Sequence, residues 1–206
     1  MSAPLDDPLG LGADPVSAFE RWFAHAQAAG LAMPEAMTLA TATPEGAPSL
    51  RWVLFKAVDK TGAFSFFTSY ESRKAGELLA NPRAALAFWW PALERQVRIE
   101  GAVARVSAAA SDAYWATRHP DSRIAAATSQ QSAPAPDRAA MERDYEAMVQ
   151  RWGGGESVPR PEQWGGFAVT AHAIEFWQGR AHRFHDRFRF TRETADAPWR
   201  RTRLWP

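Results

Sequence analysis

Phe19, Trp22, Phe23 and Ala26 recur at the three- and four-residue spacing of a helix. Asp14 stands ahead of them as a cap, Pro15 occupies the first helical position, and Gly30 closes the segment. The period then changes. Stretches 36–43, 47–57 and 63–69 are rich in β-branched and aromatic residues and are parted by the turn signals TPEG and DKTG, which predicts an antiparallel meander. A helix over 72–80 is stopped by Asn81-Pro82. Strands follow at 84–90 and 93–106; in the second, Val97 and Ile99 alternate with Gln96, Arg98 and Glu100, and Gly101 marks a bulge. Ser107 caps a helix running to Arg118, Pro120 breaks it, and another starts at Asp121. A loop at 129–137 leads to a helix over 138–152 that ends at three glycines. The segments GGFAVT, AIEFWQG, HRFHDRFRFTRE and WRRTRLW read as closing strands. Residues 1–13 lack any such pattern and read as a flexible arm, leaving 14–206 as one domain. The class expected is mainly β, six to eight antiparallel strands in a Greek-key-like barrel with peripheral helices.

Composition narrows the function. A formal net charge of +1 over 206 residues gives no field that would draw the chain to nucleic acid or a membrane surface. No stretch reaches membrane-spanning length, and the acidic N-terminus lacks a signal-peptide core, so a soluble cytoplasmic protein is expected. The absence of cysteine removes disulfides, thiolate nucleophiles and Cys-ligated zinc, and no metal motif is present. Lysine occurs only at 56, 60 and 74, whereas 180–203 holds eight arginines and two histidines.

Four clusters could carry chemistry. Read as a strand, HRFHDRF puts Arg183, His185 and Arg187 on one face, two guanidiniums around an imidazole; this suits a planar anion, and a solvated basic face is the plain alternative. Tyr114 and Arg118 share a helix face, and Ser122 opens the next helix, where free N–H groups favour phosphate. Arg73 and Lys74 lie in the first turn of the 72–80 helix, where they oppose the helix dipole unless an anion binds there. Arg51 and Lys56 bracket an apolar strand at odd spacing, so either the strand bulges or the two bases serve different ligands. No GxGxxG, GxxxxGK[ST] or GxSxG is present, so a phosphorylated ligand would need some other cradle.

With these residues stand the motifs RWVLFK, FTSYESRKA, LERQV, YWATRHPDSRI, QQS, WGGF, IEFWQG and HRFHDRF, in that order. The ordered set resembles the pyridoxine/pyridoxamine 5′-phosphate oxidase family along nearly the whole chain. The resemblance implies an FMN-binding split β-barrel and a homodimer whose clefts use residues of both subunits. FMN would be held at Arg51, Trp52, Val53, Leu54, Phe55, Lys56, Phe67, Thr68, Arg73, Lys74, Gln96, Gln131, Ser132, Trp177 and Arg187. The substrate phosphate would meet Lys56, Tyr114, Arg118 and Ser122, with Arg183 and His185 at the substrate ring as the catalytic pair. The implied reaction oxidises pyridoxine or pyridoxamine 5′-phosphate to pyridoxal 5′-phosphate, with O2 as acceptor and H2O2, plus ammonia from the amine, as by-products. The chain departs from the family at Phe67, where tyrosine is common, and at Ala125-Ala126-Ala127, where a Gly-Ala-Trp run is usual. Trp52 and Phe55 are bulkier than the usual aliphatics, and Arg180 adds a charge. Other readings are a same-fold flavin oxidase of the phenazine-biosynthesis type, a non-enzymatic pyridoxal phosphate or flavin carrier, and an RNA-binding barrel; the near-zero net charge weighs against the last.

Overall fold

The computed structural model describes residues 7–206. Helix α1 (Pro15–Ala28) begins where Asp14 accepts hydrogen bonds from the Val16 and Ser17 amides, and it buries Phe19 and Trp22 against the sheet. Strands β1 (Ala36–Ala42) and β2 (Pro48–Leu54) form a hairpin. The stretch expected as one strand over 47–57 breaks at Phe55 and Lys56. The Phe55 amide bonds to the Glu35 carbonyl and the Lys56 amide to the Ser65 carbonyl, so the chain leaves one partner for the other. It continues as β3 (Ala57–Val58) and β4 (Ala63–Ser69), then helix α2 (Arg73–Ala80), β5 (Arg83–Trp90) and β6 (Arg95–Arg105). Helices α3 (Ala108–Thr117), α4 (Pro120–Thr128) and α5 (Arg138–Trp152) form an annex. Strands β7 (Trp164–Gln178), β8 (Asp186–Thr191) and β9 (Arg200–Leu204) complete the described residues.

The antiparallel sheet runs β2-β1-β5-β6-β7-β4-β3, with β8 on β7 and β9 on β8. Because β3 follows β2 directly, this path returns to its start and the sheet curls around one core. Phe19, Phe64, Phe66, Phe88, Trp90, Phe167, Phe176 and Phe190 fill that core and are fully buried. Two pairs of these rings meet edge to face, Phe19 on Phe64 at 4.9 Å and Phe176 on Phe190 at 5.9 Å. A smaller apolar cluster of Trp115, Ile124, Val158 and Trp164 holds the annex to the barrel.

The two strands expected over 165–179 are one. β7 is 15 residues long; its first half pairs with β4, its second half with β8, and β6 runs along its other edge throughout. The expected bulge is present, with the β6–β7 register shifting between Glu100 and Gly101. A β-carbon at Gly101 would strike the Thr170 carbonyl, so only glycine lets the two backbones approach this closely.

Two further expectations need correction. HRFHDRF is not a continuous strand. β7 and β8 first pair at Gln178 and Asp186, so residues 179–185 form the reversal between them. Residues 181–183 make a 3-10 turn in which His182 and Arg183 take φ of 58° and 61°. A reversal this tight needs left-handed backbone, which period-two reading cannot detect. Arg183 and Arg187 therefore do not share a strand face. Of the arm expected at 1–13, residues 1–6 lie outside the described residues, whereas 7–13 pack on the domain. Leu11 is fully buried, Arg21 donates to the Gly10 and Leu11 carbonyls, and Asp7 pairs with Arg201 at 2.8 Å.

The candidate anion-binding cleft

A cleft of about 460 Å³ opens between the ends of β2 and β4, the start of α2 and the annex. Of the residues expected at the site, Trp52, Val53, Leu54, Lys56, Phe67, Thr68, Lys74, Tyr114, Arg118, Ser122 and Gln131 line it. Ser69, Ala125, Ala126, Ser129 and Trp164 line it as well and were not among those expected. Trp164 opens the WGGF motif, which is the one sequence signal that pointed toward it. Among the described residues the lining holds three cations, Lys56, Lys74 and Arg118, and no carboxylate. Such a wall suits an anion.

Each cation is held by a different element. Arg118 ends α3 in extended backbone, and Arg123 ties that corner by donating to the carbonyls of Ala116 and Arg118. The Arg118 guanidinium lies over the Trp164 ring at 4.6 Å and the Trp115 ring at 5.0 Å. Its Nη1 is buried without a hydrogen-bond partner among the described residues. Burial is the chief cause pushing its pKa down, yet an arginine keeps its charge. A buried charged donor left unpaired is costly, so this atom calls for an acceptor that the protein itself does not supply. Tyr114 lies one turn earlier, its ring stacked on Phe67 at 4.0 Å, with Lys56 Nζ 5.6 Å from its centroid. Ser122 sits in the first turn of α4, where Pro120 has no N–H and His119 Nδ1 accepts from the Asp121 amide, so the Ser122 amide and hydroxyl are the donors left at that end.

Lys74 is buried, and its Nζ donates to Thr68 Oγ1 (3.2 Å) and Gln131 Oε1 (3.0 Å). Thr68 donates in turn to Gln131 at 2.7 Å, which ties the loop after α4 to the barrel. Burial first, and the nearby Arg51 charge second, bring the Lys74 pKa down to about 8. Between about 8 and its ordinary value the unfolded chain holds a proton that the folded protein has released. Stability conferred through Lys74 therefore rises with pH across that window. Thermal unfolding of wild type and Lys74→Met from pH 7 to 10 is expected to show the wild type gaining on the variant as pH climbs. Parallel curves would mean that Lys74 titrates normally.

The remaining expected residues lie elsewhere. Phe55 is buried in the main core, its ring against Phe19 and Phe23, so only its backbone faces away from the core. Arg51 and Arg73 both bind Glu77 at α2. Ser132 sits in the 129–137 loop with φ of 76°. Gln96, Trp177 and Arg187 are successive cross-strand neighbours on β6, β7 and β8. The His185 ring packs on Trp177 at 4.5 Å, and its Nδ1 accepts from the Arg180 amide. Arg187 is paired with the buried Glu175 at 2.9 Å. Arg183 is exposed in the β7–β8 reversal. None of these lines the cleft: Gln96, Trp177, Arg183, His185 and Arg187 gather along β6 to β8, Arg51 and Arg73 at α2, while Phe55 is in the core and Ser132 in the 129–137 loop.

Residues 23–152 match the family described as pyridoxamine 5′-phosphate oxidase, and residues 164–206 match the pyridoxine 5′-phosphate oxidase C-terminal dimerisation region. The chain belongs to the pyridoxamine 5′-phosphate oxidase family. Among relatives in it, the pyridoxine/pyridoxamine 5′-phosphate oxidase of Burkholderia ambifaria is 51% identical over 201 residues, covering 97% of this chain and 92% of that protein. The protein of the same name from Rubrobacter xylanophilus is 51% identical over 197 residues, covering 96% and 89%. Solved structures share the split-barrel fold. PhzG from Burkholderia lata 383, solved with tetrahydrophenazine-1-carboxylic acid, superposes with a TM-score of 0.90 at 28% identity, covering 100% of this chain and 99% of that one. An FMN-binding protein related to the family, from Nostoc punctiforme, shares the fold at a TM-score of 0.76 and 18% identity, covering 96% and 100%.

Proposed function

We propose that this oxidoreductase is an FMN-dependent oxidase that converts pyridoxine 5′-phosphate and pyridoxamine 5′-phosphate to pyridoxal 5′-phosphate, acting as a homodimer. The observation that carries the reading is the carboxylate-free cleft with the buried, unpartnered Arg118 Nη1 beside Tyr114, Ser122 and Lys56. A phosphate dianion satisfies such donors, and Arg118 would meet it through charge-assisted hydrogen bonds. The names carried by the half-identical relatives point the same way.

The residues present also fit a phosphorylated flavin. Lys74 is a desolvated cation with only neutral acceptors, and α2 begins with two bases where the helix dipole prefers an anion. Held there by Arg73 and Lys74, the flavin would supply acceptance of a hydride from the substrate carbon and reoxidation by O2 to H2O2. The protein's part is to bind, orient and exclude water. Lys56, Tyr114, Arg118 and Ser122 anchor the substrate phosphate and so fix the position of its ring. Phe67, Tyr114 and Trp164 form a near-parallel slab along one wall. Water then releases ammonia from the oxidised amine substrate.

A second subunit would supply the other group of residues. The outer face of β2 exposes Leu50 and Trp52, at 66% and 65%, with Leu54 beside them and Trp89 further along the sheet. An apolar face of this kind on a soluble protein marks a contact surface. Gln96, Trp177, His185 and Arg187 belong to the same side of the sheet or its rim, and the dimerisation match spans β7 to β9. In this reading, Arg183 and His185 of the partner meet the substrate ring, and Gln96, Trp177 and Arg187 of the partner meet the flavin.

A same-fold oxidase acting on a phenazine precursor is the second reading, favoured by the superposition on PhzG. The flavin-loaded protein, made anaerobic, separates the two. Pyridoxine phosphate is expected to bleach the visible flavin band, and air to restore it. Retention of colour with both phosphorylated vitamers would overturn the substrate assignment, and failure to take up FMN would overturn the flavin as well.

A further inference from the structure

Glu77 lies one turn after Arg73 on α2, where the i, i+4 spacing suggests an ordinary surface pair. It is instead 7% exposed. Its Oε2 accepts from the Thr41 and Ser49 hydroxyls and from Arg51 Nη2 at 3.1 Å, and its Oε1 accepts from Arg73 Nε at 2.9 Å. Burial alone would raise the carboxyl pKa, but the four donors outweigh it and hold the value at about 2, so the group is ionised.

The two arginines are used differently. Arg51 donates through Nη1 to the Leu39 carbonyl and Thr41, and through Nη2 to Ser49 and Glu77, so its terminal nitrogens are committed. Arg73 is 66% exposed and bonds Glu77 through Nε alone. Its two terminal nitrogens remain, the fork that grips an oxyanion. Fixing Nε removes much of the rotamer freedom an exposed arginine would lose on binding. Arg51, Arg73 and Lys74 together with Glu77 leave a local excess of two positive charges, which matches a phosphate monoester dianion.

We propose that Glu77 is a positioning residue for a phosphate at the start of α2: it pins Arg73 by Nε with the fork free, and it pairs at the same time with the partly buried Arg51. The proposal rests on the reading that the phosphorylated flavin binds at this end of the cleft. The test compares FMN with riboflavin, the same ring system without the phosphate, by quenching of flavin fluorescence on the full chain freed of flavin. Wild type, Glu77→Ala, Arg73→Ala and the double variant are titrated. Glu77→Ala is expected to weaken FMN by about tenfold, some 1.4 kcal/mol, while riboflavin is unchanged. The loss should vanish when Arg73 is already alanine, because Glu77 acts through it. An unchanged FMN-to-riboflavin ratio in Glu77→Ala overturns the proposal. So does a ratio that rises, as simple removal of a negative charge would cause, or a further loss in the double variant. Wild type that fails to prefer FMN would overturn the underlying reading, and the proposal with it. Should Glu77→Ala not fold, Glu77→Gln is judged by the same ratio: it keeps the shape but cannot accept from Arg73 with one atom and from Thr41, Ser49 and Arg51 with the other.

Discussion

Arg118→Ala is expected to lower kcat/KM for pyridoxine phosphate by roughly two to three orders of magnitude while FMN stays bound. The size follows from the kind of interaction removed. Truncating one partner of a buried, hydrogen-bonded charge pair costs about 2–5 kcal/mol, and each 1.4 kcal/mol is about tenfold. Arg118 qualifies because its Nη1 is buried and has no partner among the described residues, so a substrate phosphate would supply the acceptor it lacks. Its stacking on Trp115 and Trp164 keeps the guanidinium in place before the ligand arrives. Arg118→Lys is expected to recover only part of the loss, since an ammonium lacks the planar fork and its stacking. Steady-state kinetics beside the flavin absorbance of the purified variant decides. A variant with full activity would remove Arg118 from the substrate site, and a colourless one would move it to the flavin.

If the proposed dimer forms through β2, Leu50→Asp is expected to leave the protein monomeric and to cost it the flavin. Leu50 projects from the outer face of β2, opposite Ala40 of β1, and is two-thirds exposed in the single chain. A change there leaves the inner core intact, so the monomer should keep its fold. In a two-fold dimer each substitution appears twice across one interface, where an unpaired carboxylate in apolar surroundings costs several kcal/mol. Light scattering with in-line absorbance at the flavin band checks both parts of the expectation. A dimeric, yellow variant would place the subunit contact elsewhere. A monomeric variant that stays yellow would show that one chain suffices to hold the cofactor.

What could be read from the sequence was what neighbouring residues determine. Asp14-Pro15 and Asp137 mark the starts of α1 and α5, Gly153 marks the end of α5 with φ of 59°, and the Gly101 bulge lies where the alternation is interrupted. The Tyr114, Arg118 and Ser122 grouping was legible because a helix face and a proline-opened helix are local features, and the cleft does gather those three. The reversal at 179–185 was not legible. HRFHDRF alternates as a strand does, and only its pairing partner shows where the strand begins. The odd spacing of Arg51 and Lys56 resolves as an interruption of the strand at Phe55 and Lys56: Arg51 turns to Glu77 and Lys56 to the cleft. Glu77 itself was invisible as a site residue. Its burial depends on Thr41, Ser49 and Arg51, brought from two distant strands, and nothing in ESRKAGELL distinguishes it from a solvated glutamate.

The shape of β7 bears on how ligands come and go. This strand is bonded to β4, β6 and β8, so the barrel side of the cleft has no seam along which it can part. The opposite wall is built differently. α5 contributes no fully buried residue and α4 only Ile124, and the loop after α4 is tied to the barrel by Gln131 through its bonds with Thr68 and Lys74. The annex is thus the wall of the cleft with the fewest buried anchors, and the bonds among Thr68, Lys74 and Gln131 are what fasten its loop to the barrel.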